Sequence, residues 1–189
     1  MQRVVLCLCT LAAAACGAAR AEPLSYDYAY LSHQQNTVNG RNFNNDTVGG
    51  YIEIGHHAQV FASWGDAGLY GNPAWHNSRA IRVGAGGHFL LDADTMIAPE
   101  AAIVRARFDN ALDQAVKDTG YEAKLELRHR FTYWLEAIAS GRHSDVLDQR
   151  ANAFVAGPVF HLNRYLAVGT FYQSVEGDAG WELTARWYF

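Results

Sequence analysis

From Tyr121 to Phe131 the chain alternates without error between apolar and charged residues. Tyr121, Ala123, Leu125, Leu127, His129 and Phe131 fall on one face; Glu122, Lys124, Glu126, Arg128 and Arg130 fall on the other. A period of two is the signature of a β-strand, because successive side chains leave opposite faces of a sheet. An amphipathic helix would repeat its apolar positions every three or four residues instead. The last nine residues repeat the pattern, with Trp181, Leu183, Ala185, Trp187 and Phe189 alternating with Glu182, Thr184, Arg186 and Tyr188.

Similar stretches recur through the chain. Leu24, Tyr26, Tyr28 and Tyr30 alternate with Ser25, Asp27 and Ala29; Val48, Gly50, Ile52 and Ile54 with Gly49, Tyr51, Glu53 and Gly55. Val60, Ala62 and Trp64 follow a tight turn at His56-His57, and Ile81, Val83, Ala85, Gly87 and Phe89 alternate with Arg82, Gly84, Gly86 and His88. With stretches at 95–108, 134–142, 151–162 and 165–175, about ten strands are expected, or eight if a hairpin around 95–108 is misplaced. Two prolines interrupt the pattern. Pro99 lies where the parity of Glu100 disagrees with that of Arg105 and Arg107, which predicts a bulge near 102–104, and Pro158 demands a gap in its ladder.

The connections sort by length. Polar stretches at 33–45, 66–78, 109–118, 144–150 and 176–179 alternate with short ones at 56–57, 91–94, 132–133 and 163–164. Strict long–short alternation is expected of an up-and-down antiparallel transmembrane β-barrel, with short turns on one side of the membrane and loops on the other. A Greek-key sandwich has no reason to sort its connections in this way.

Composition narrows the class. After residue 21 no apolar run approaches the ~18–20 residues of a spanning helix. Entry into a bilayer would therefore require a closed barrel, in which every backbone group is paired. Arg3, an apolar stretch to about Ala19, and Ala19-Arg20-Ala21 read as a signal peptide cleaved before Glu22, leaving 22–189 as one exported domain. The three cysteines (Cys7, Cys9 and Cys16) all fall in that leader. The net charge of −4 and the presence of only two lysines, Lys117 and Lys124, give no footing for nucleic acid.

Leader, alternating strands and the ending Trp187-Tyr188-Phe189 together resemble small bacterial outer-membrane proteins of the OmpA/OmpX-like barrel class. In that class the terminal aromatic strand is an assembly signal read by the outer-membrane assembly machinery. The resemblance also implies a monomer in the outer membrane, in contact with its lipid and with lipopolysaccharide. Leu24-Ser25-Tyr26-Asp27-Tyr28 and Thr119-Gly120-Tyr121-Glu122 further look like the Ax family of small xanthomonad outer-membrane proteins. No catalytic residue and no cofactor comes with either resemblance.

Strand parity sends Glu53, Arg82, Glu122, Lys124, Glu126, Arg128, Arg130, Glu182 and Arg186 into the lumen. Acids and bases are mixed there, as in a plug of charge pairs. A thin pore is the alternative, with Arg82, Glu126 and Arg128 at its constriction; selective pores more often show one sign. Aromatics at strand ends are expected to form interface girdles, with Tyr30 and Trp64 in the outer one and Phe131, Trp134, Tyr165, Trp187 and Phe189 in the inner one. His56-His57 lacks a third ligand, and no metal site is expected. His76-Asn77-Ser78 has the His-x-Ser spacing of lipid A deacylases, in which the motif lies nearer the last strands. The expected role is non-enzymatic: a structural or surface-interaction barrel, with a passive channel second and a lipid-modifying enzyme third.

Overall fold

The computed structural model describes residues 24–38, 41–66, 75–110, 115–146 and 149–189; the leader and its cleavage point lie outside them. The strands are β1 (Tyr28–Val38), β2 (Arg41–Ile54), β3 (Ala58–Asp66), β4 (Trp75–Gly87), β5 (Phe89–Leu90), β6 (Thr95–Asn110), β7 (Ala115–Thr132), β8 (Leu135–Val146), β9 (Gln149–His161), β10 (Leu166–Val175) and β11 (Asp178–Tyr188). All pair antiparallel with their neighbours, β11 returns to β1, and β4 and β5 both pair with β6. Because β5 continues β4 past His88, the wall is a closed barrel of ten strands with no helix among the described residues.

Closure depends on the last strand. Tyr28 lies opposite Tyr188 in the β1–β11 register, Leu166 lies opposite Trp187 on β10, and the Phe189 amide donates to the Asp27 carbonyl at 3.2 Å. A barrel leaves no strand edge exposed, which is the condition for placing a sheet in hydrocarbon.

Both prolines sit at ladder gaps. Pro99 pairs with Leu125 on β7, while on its other side the ladder is interrupted at His88, between the Gly86–Glu100 and Phe89–Ile97 pairs. Pro158 falls between the Val159–Gly169 and Ala156–Tyr172 pairs, where β9 and β10 do not bond. The expected bulge at 102–104 does not exist. β6 keeps an unbroken register there, Glu100 is buried in the lumen, and Arg105 and Arg107 are exposed on the outer face. The parity conflict arose from assuming that charges never face outward; near a membrane interface an outward cation costs only about 0–1 kcal/mol.

The loops also differ from expectation. Most of the stretches 33–45, 109–118 and 144–150 is strand, so the connections left between β1 and β2, β6 and β7, and β8 and β9 are as short as those at the opposite end. Polar side chains do not stop a ladder, because the backbone pairs regardless of which side chains it carries. The two ends remain distinct. One, the turn end, holds the turns at 55–57, 91–94, 133–134 and 162–165 together with Tyr28 and Tyr188; the other, the hairpin end, is where the polar ends of β1, β2, β6, β7, β8 and β9 lie.

Burial is inverted relative to a water-soluble protein. The largest fully buried side chains include Arg128, Gln59, Gln173 and Glu136, while Ile52, Ile54, Ile81, Val83, Ile103, Leu125 and Leu183 stand exposed on the outside. Ile103 is 64% exposed and Arg128 is 1% exposed.

Candidate functional site in the barrel lumen

The inward face of β7 is the spine of the lumen. Arg128 reaches the diagonal neighbour of its cross-strand partner on β8: its Nε donates to Glu136 Oε1 at 2.6 Å and its Nη2 to Glu136 Oε2 at 3.2 Å. This two-point geometry suits a guanidinium and not an ammonium. His161 Nε2 lies 3.2 Å from the same Glu136 oxygen, and the guanidinium carbon sits 4.8 Å from the centre of the Tyr26 ring. Tyr26, fully buried, donates its hydroxyl to Glu126 at 3.0 Å.

One level toward the hairpin end, Lys124 Nζ bridges Glu100 at 2.9 Å and Glu126 at 3.1 Å and donates to the Tyr51 hydroxyl at 3.2 Å. Gln59 Nε2 donates to Glu100 Oε1 at 2.9 Å. Arg82 and Arg142 both approach Glu122, at 3.4 and 3.8 Å, and Gln34 donates to Glu182 at 2.9 Å. Arg186 packs its guanidinium over the Tyr28 ring at 5.0 Å, an attraction of cation to ring face. In this set Arg82, Lys124, Arg128, Arg142 and Arg186 are matched by Glu100, Glu122, Glu126, Glu136 and Glu182. The charges balance in number and most are hydrogen-bonded, which is what allows them to be buried, while Arg186 leaves its Nη1 without a hydrogen bond and is held against the Tyr28 and Phe171 rings.

Packing divides the lumen into two compartments. Around Arg128, the side chains of Tyr26, Gln59, Met96, Glu136 and Val159 leave almost no exposed surface, so the turn end is stoppered. Above Tyr28, Tyr51, Lys124 and Glu126, a vestibule of about 460 Å³ extends past Tyr30, Phe61, Arg82, Arg142 and Glu182 toward the hairpin end.

The residues before β1 complete the stopper. Tyr28 N donates to Tyr26 O at 3.1 Å, which folds the chain inward. Tyr26 N donates to Glu53 at 2.9 Å, Glu53 N donates to Asp27 at 2.7 Å, and Arg128 reaches the Ser25 carbonyl at 3.4 Å. Glu53 therefore anchors the entering segment. Arg130 faces the turn end as well, but its partner is Asp94 at 2.8 Å, at the lip of the barrel and outside the central network.

The remaining expected residues fall as follows. Tyr30 belongs to the lumen and not to an outer girdle; a Cβ on Gly49 would lie 2.7 Å from its ring. Tyr26, Tyr28, Tyr30, Tyr51 and Phe61 form a run of ring contacts with centroids 5.0–6.3 Å apart, continued from Tyr28 to Tyr188 at 5.3 Å. Trp64 lies outward toward the hairpin end, and Phe131, Trp134, Tyr165, Trp187 and Phe189 are exposed at the turn end. Tyr188, between the last two, points inward. His76 and Ser78 lie at the start of β4, where the side chains are outside those described. Among the described residues no group of His, Cys, Asp and Glu is placed to hold a metal.

The closed antiparallel barrel has counterparts in fold among solved structures. The KdgM porin in complex with disordered oligogalacturonate superposes with a TM-score of 0.54 at 10% identity, over 86% of this chain and 99% of the porin. The COG4313 outer membrane channel from Pseudomonas putida F1 does so with a TM-score of 0.54 at 9% identity, over 89% and 99% of the two chains. The fold is an outer-membrane barrel. At such identities the likeness extends to the fold and no further. No protein-family model and no curated protein matches the chain, so the narrower resemblance to the Ax family gains no support.

Proposed function

We propose that this protein resides in a bacterial outer membrane as a non-enzymatic, non-conducting barrel, with its hairpins and vestibule facing the outside and its stoppered end facing the periplasm. The observation that carries the reading is the inversion of burial. Side chains such as Ile52, Ile103 and Leu125 lie on the outer surface while Arg128 and Glu136 are enclosed. In water that arrangement would forfeit the hydrophobic contribution to folding; in hydrocarbon it is the stable one. The outward aromatics at the turn end and Trp64, Tyr121 and Trp181 toward the hairpin end suit the two headgroup levels.

The non-conducting part of the reading rests on the stopper of Tyr26, Arg128, Glu136 and Met96. The relatives by fold include channels, so a passive pore is the second reading, favoured by the vestibule alone. Planar-bilayer recording of the purified full chain separates the two. The stopper predicts no stepwise current in molar salt at 100 mV, and regular single-channel steps from the unaltered protein would contradict it. A structural or surface-interaction role follows from a barrel that neither conducts nor catalyses, with its polar hairpins as the contact surface.

A further inference from the structure

Glu182 stands apart from the other glutamates of the luminal network. Lys124 Nζ lies 2.9 Å from Glu100 and 3.1 Å from Glu126, Arg128 lies 2.6 Å from Glu136, and Arg82 lies 3.4 Å from Glu122. Among the described residues, no lysine, arginine or histidine comes within 4 Å of Glu182. It accepts a hydrogen bond from Gln34 Nε2 at 2.9 Å, with Ser32 beside it, and Arg142 and Arg186 act on it only from farther off. A half-buried carboxylate without an ion pair favours the arrival of a cation.

Its neighbours offer acceptors and apolar surface. In the β10–β11 register Phe171 lies opposite Glu182 and Gln173 opposite Gly180, so Gln173 is the diagonal neighbour of Glu182 on the luminal face. Gln173 is 1% exposed; its Nε2 donates to Asn36 Oδ1, while its Oε1 has no hydrogen-bond partner. A buried acceptor is costly to leave unmet. Asp178, two residues beyond Gly180 toward the hairpin end, adds a second carboxylate, and Val155 of β9 lies opposite Gln173. Gly180 puts no side chain among them; a Cβ there would collide with Asn36 Oδ1. Phe171, Gln173, Asp178, Glu182 and Val155 all line the vestibule, whose volume falls within the ~300–1,000 Å³ of small-molecule pockets.

We infer that this flank of the vestibule binds a small primary amine with an apolar body, the ammonium donating to Glu182 and to Gln173 Oε1 and the body packing against Phe171 and Val155. An ammonium carries three donors and no acceptor, which matches a carboxylate beside an unmet carbonyl. A hydroxyl in its place would bring one donor and no charge, and a carboxylate would face a like charge. The site goes beyond the structural role proposed above and holds whichever way the barrel faces.

The test is equilibrium dialysis of the full chain, folded in detergent, against phenethylamine, phenethyl alcohol and hydrocinnamate, with the same detergent on both sides. These probes share a body and differ in the group it carries: ammonium, hydroxyl or carboxylate. The wild type binds the amine saturably and at least about tenfold more tightly than the alcohol, with the carboxylate weakest. Glu182→Gln loses about tenfold in amine affinity and leaves the alcohol unchanged. Gln173→Leu, which keeps every charge, loses about fivefold. Equal affinity of the wild type for amine and alcohol overturns the site, even if both variants fail to fold. Amine selectivity that survives both substitutions overturns it too, since the amine would then bind elsewhere.

Discussion

Replacing Arg128 by alanine is expected to lower the stability of the folded barrel by about 3–5 kcal/mol, the usual cost of removing one partner from a buried ion pair. The guanidinium is 1% exposed, as is Glu136, which accepts both of its short hydrogen bonds. In the variant, Glu136 loses both guanidinium hydrogen bonds and keeps its contact with His161, and Tyr26 loses the cation over its ring. Water is expected to enter the space vacated, and the variant should pass current in a bilayer where the wild type does not. Urea unfolding in vesicles reads the stability, and the double variant Arg128→Met with Glu136→Met supplies the control. Because a buried pair replaced as a unit by apolar side chains is often neutral or stabilising, the double variant should recover most of the loss. A single variant as stable as wild type would mean that the stopper is already wet and that its ion pair contributes little.

The second large effect is on the outer wall. Leu125 lies mid-strand on β7, between Pro99 and Gly141, and is 52% exposed. On a water-facing surface Leu125→Arg would change stability by no more than about 0.5 kcal/mol. Facing hydrocarbon at mid-depth it should cost about 2–4 kcal/mol. The same substitution at Thr119, beside Arg105 near the outer interface, should cost about 0–1 kcal/mol. Unfolding of the two variants in vesicles gives the comparison, and equal small losses at both positions would contradict the depth profile.

Much of this architecture was legible in the alternation itself. In β7 charged and apolar residues take turns so strictly that the inward side of Glu122, Lys124, Glu126 and Arg128 could be read before any pairing was known, whereas Arg130 continues the alternation but meets Asp94 at the lip. The tyrosines of 26–30 were not legible in this way. A tyrosine ring is apolar and its tip polar, so its place in an alternation with Ser25, Asp27 and Ala29 does not fix which face it takes. Only register, which sets Tyr28 between Tyr51 and Tyr188, turns them inward. Glu136 was missed for a different reason. Its parity is plain, but its contact with Arg128 depends on the 133–134 turn and on the irregularity between Arg130 and Thr132 that set the β7–β8 register. Glu100, Arg142 and His161 entered the lumen in the same way, through pairing with strands distant in sequence. The bulge expected near 102–104 is absent because Arg105 and Arg107 face outward, and strand parity alone carries no information about depth in a membrane.

The most direct measurement concerns what surrounds the wall. Trp64, Trp134, Trp181 and Trp187 are all exposed on the outside of the barrel. With the chain folded in vesicles, lipids brominated along their acyl chains should quench most of the tryptophan emission, and a water-soluble quencher should reach little of it. Emission indifferent to the brominated chains yet open to the aqueous quencher would mean that water covers this surface, and the account would fail.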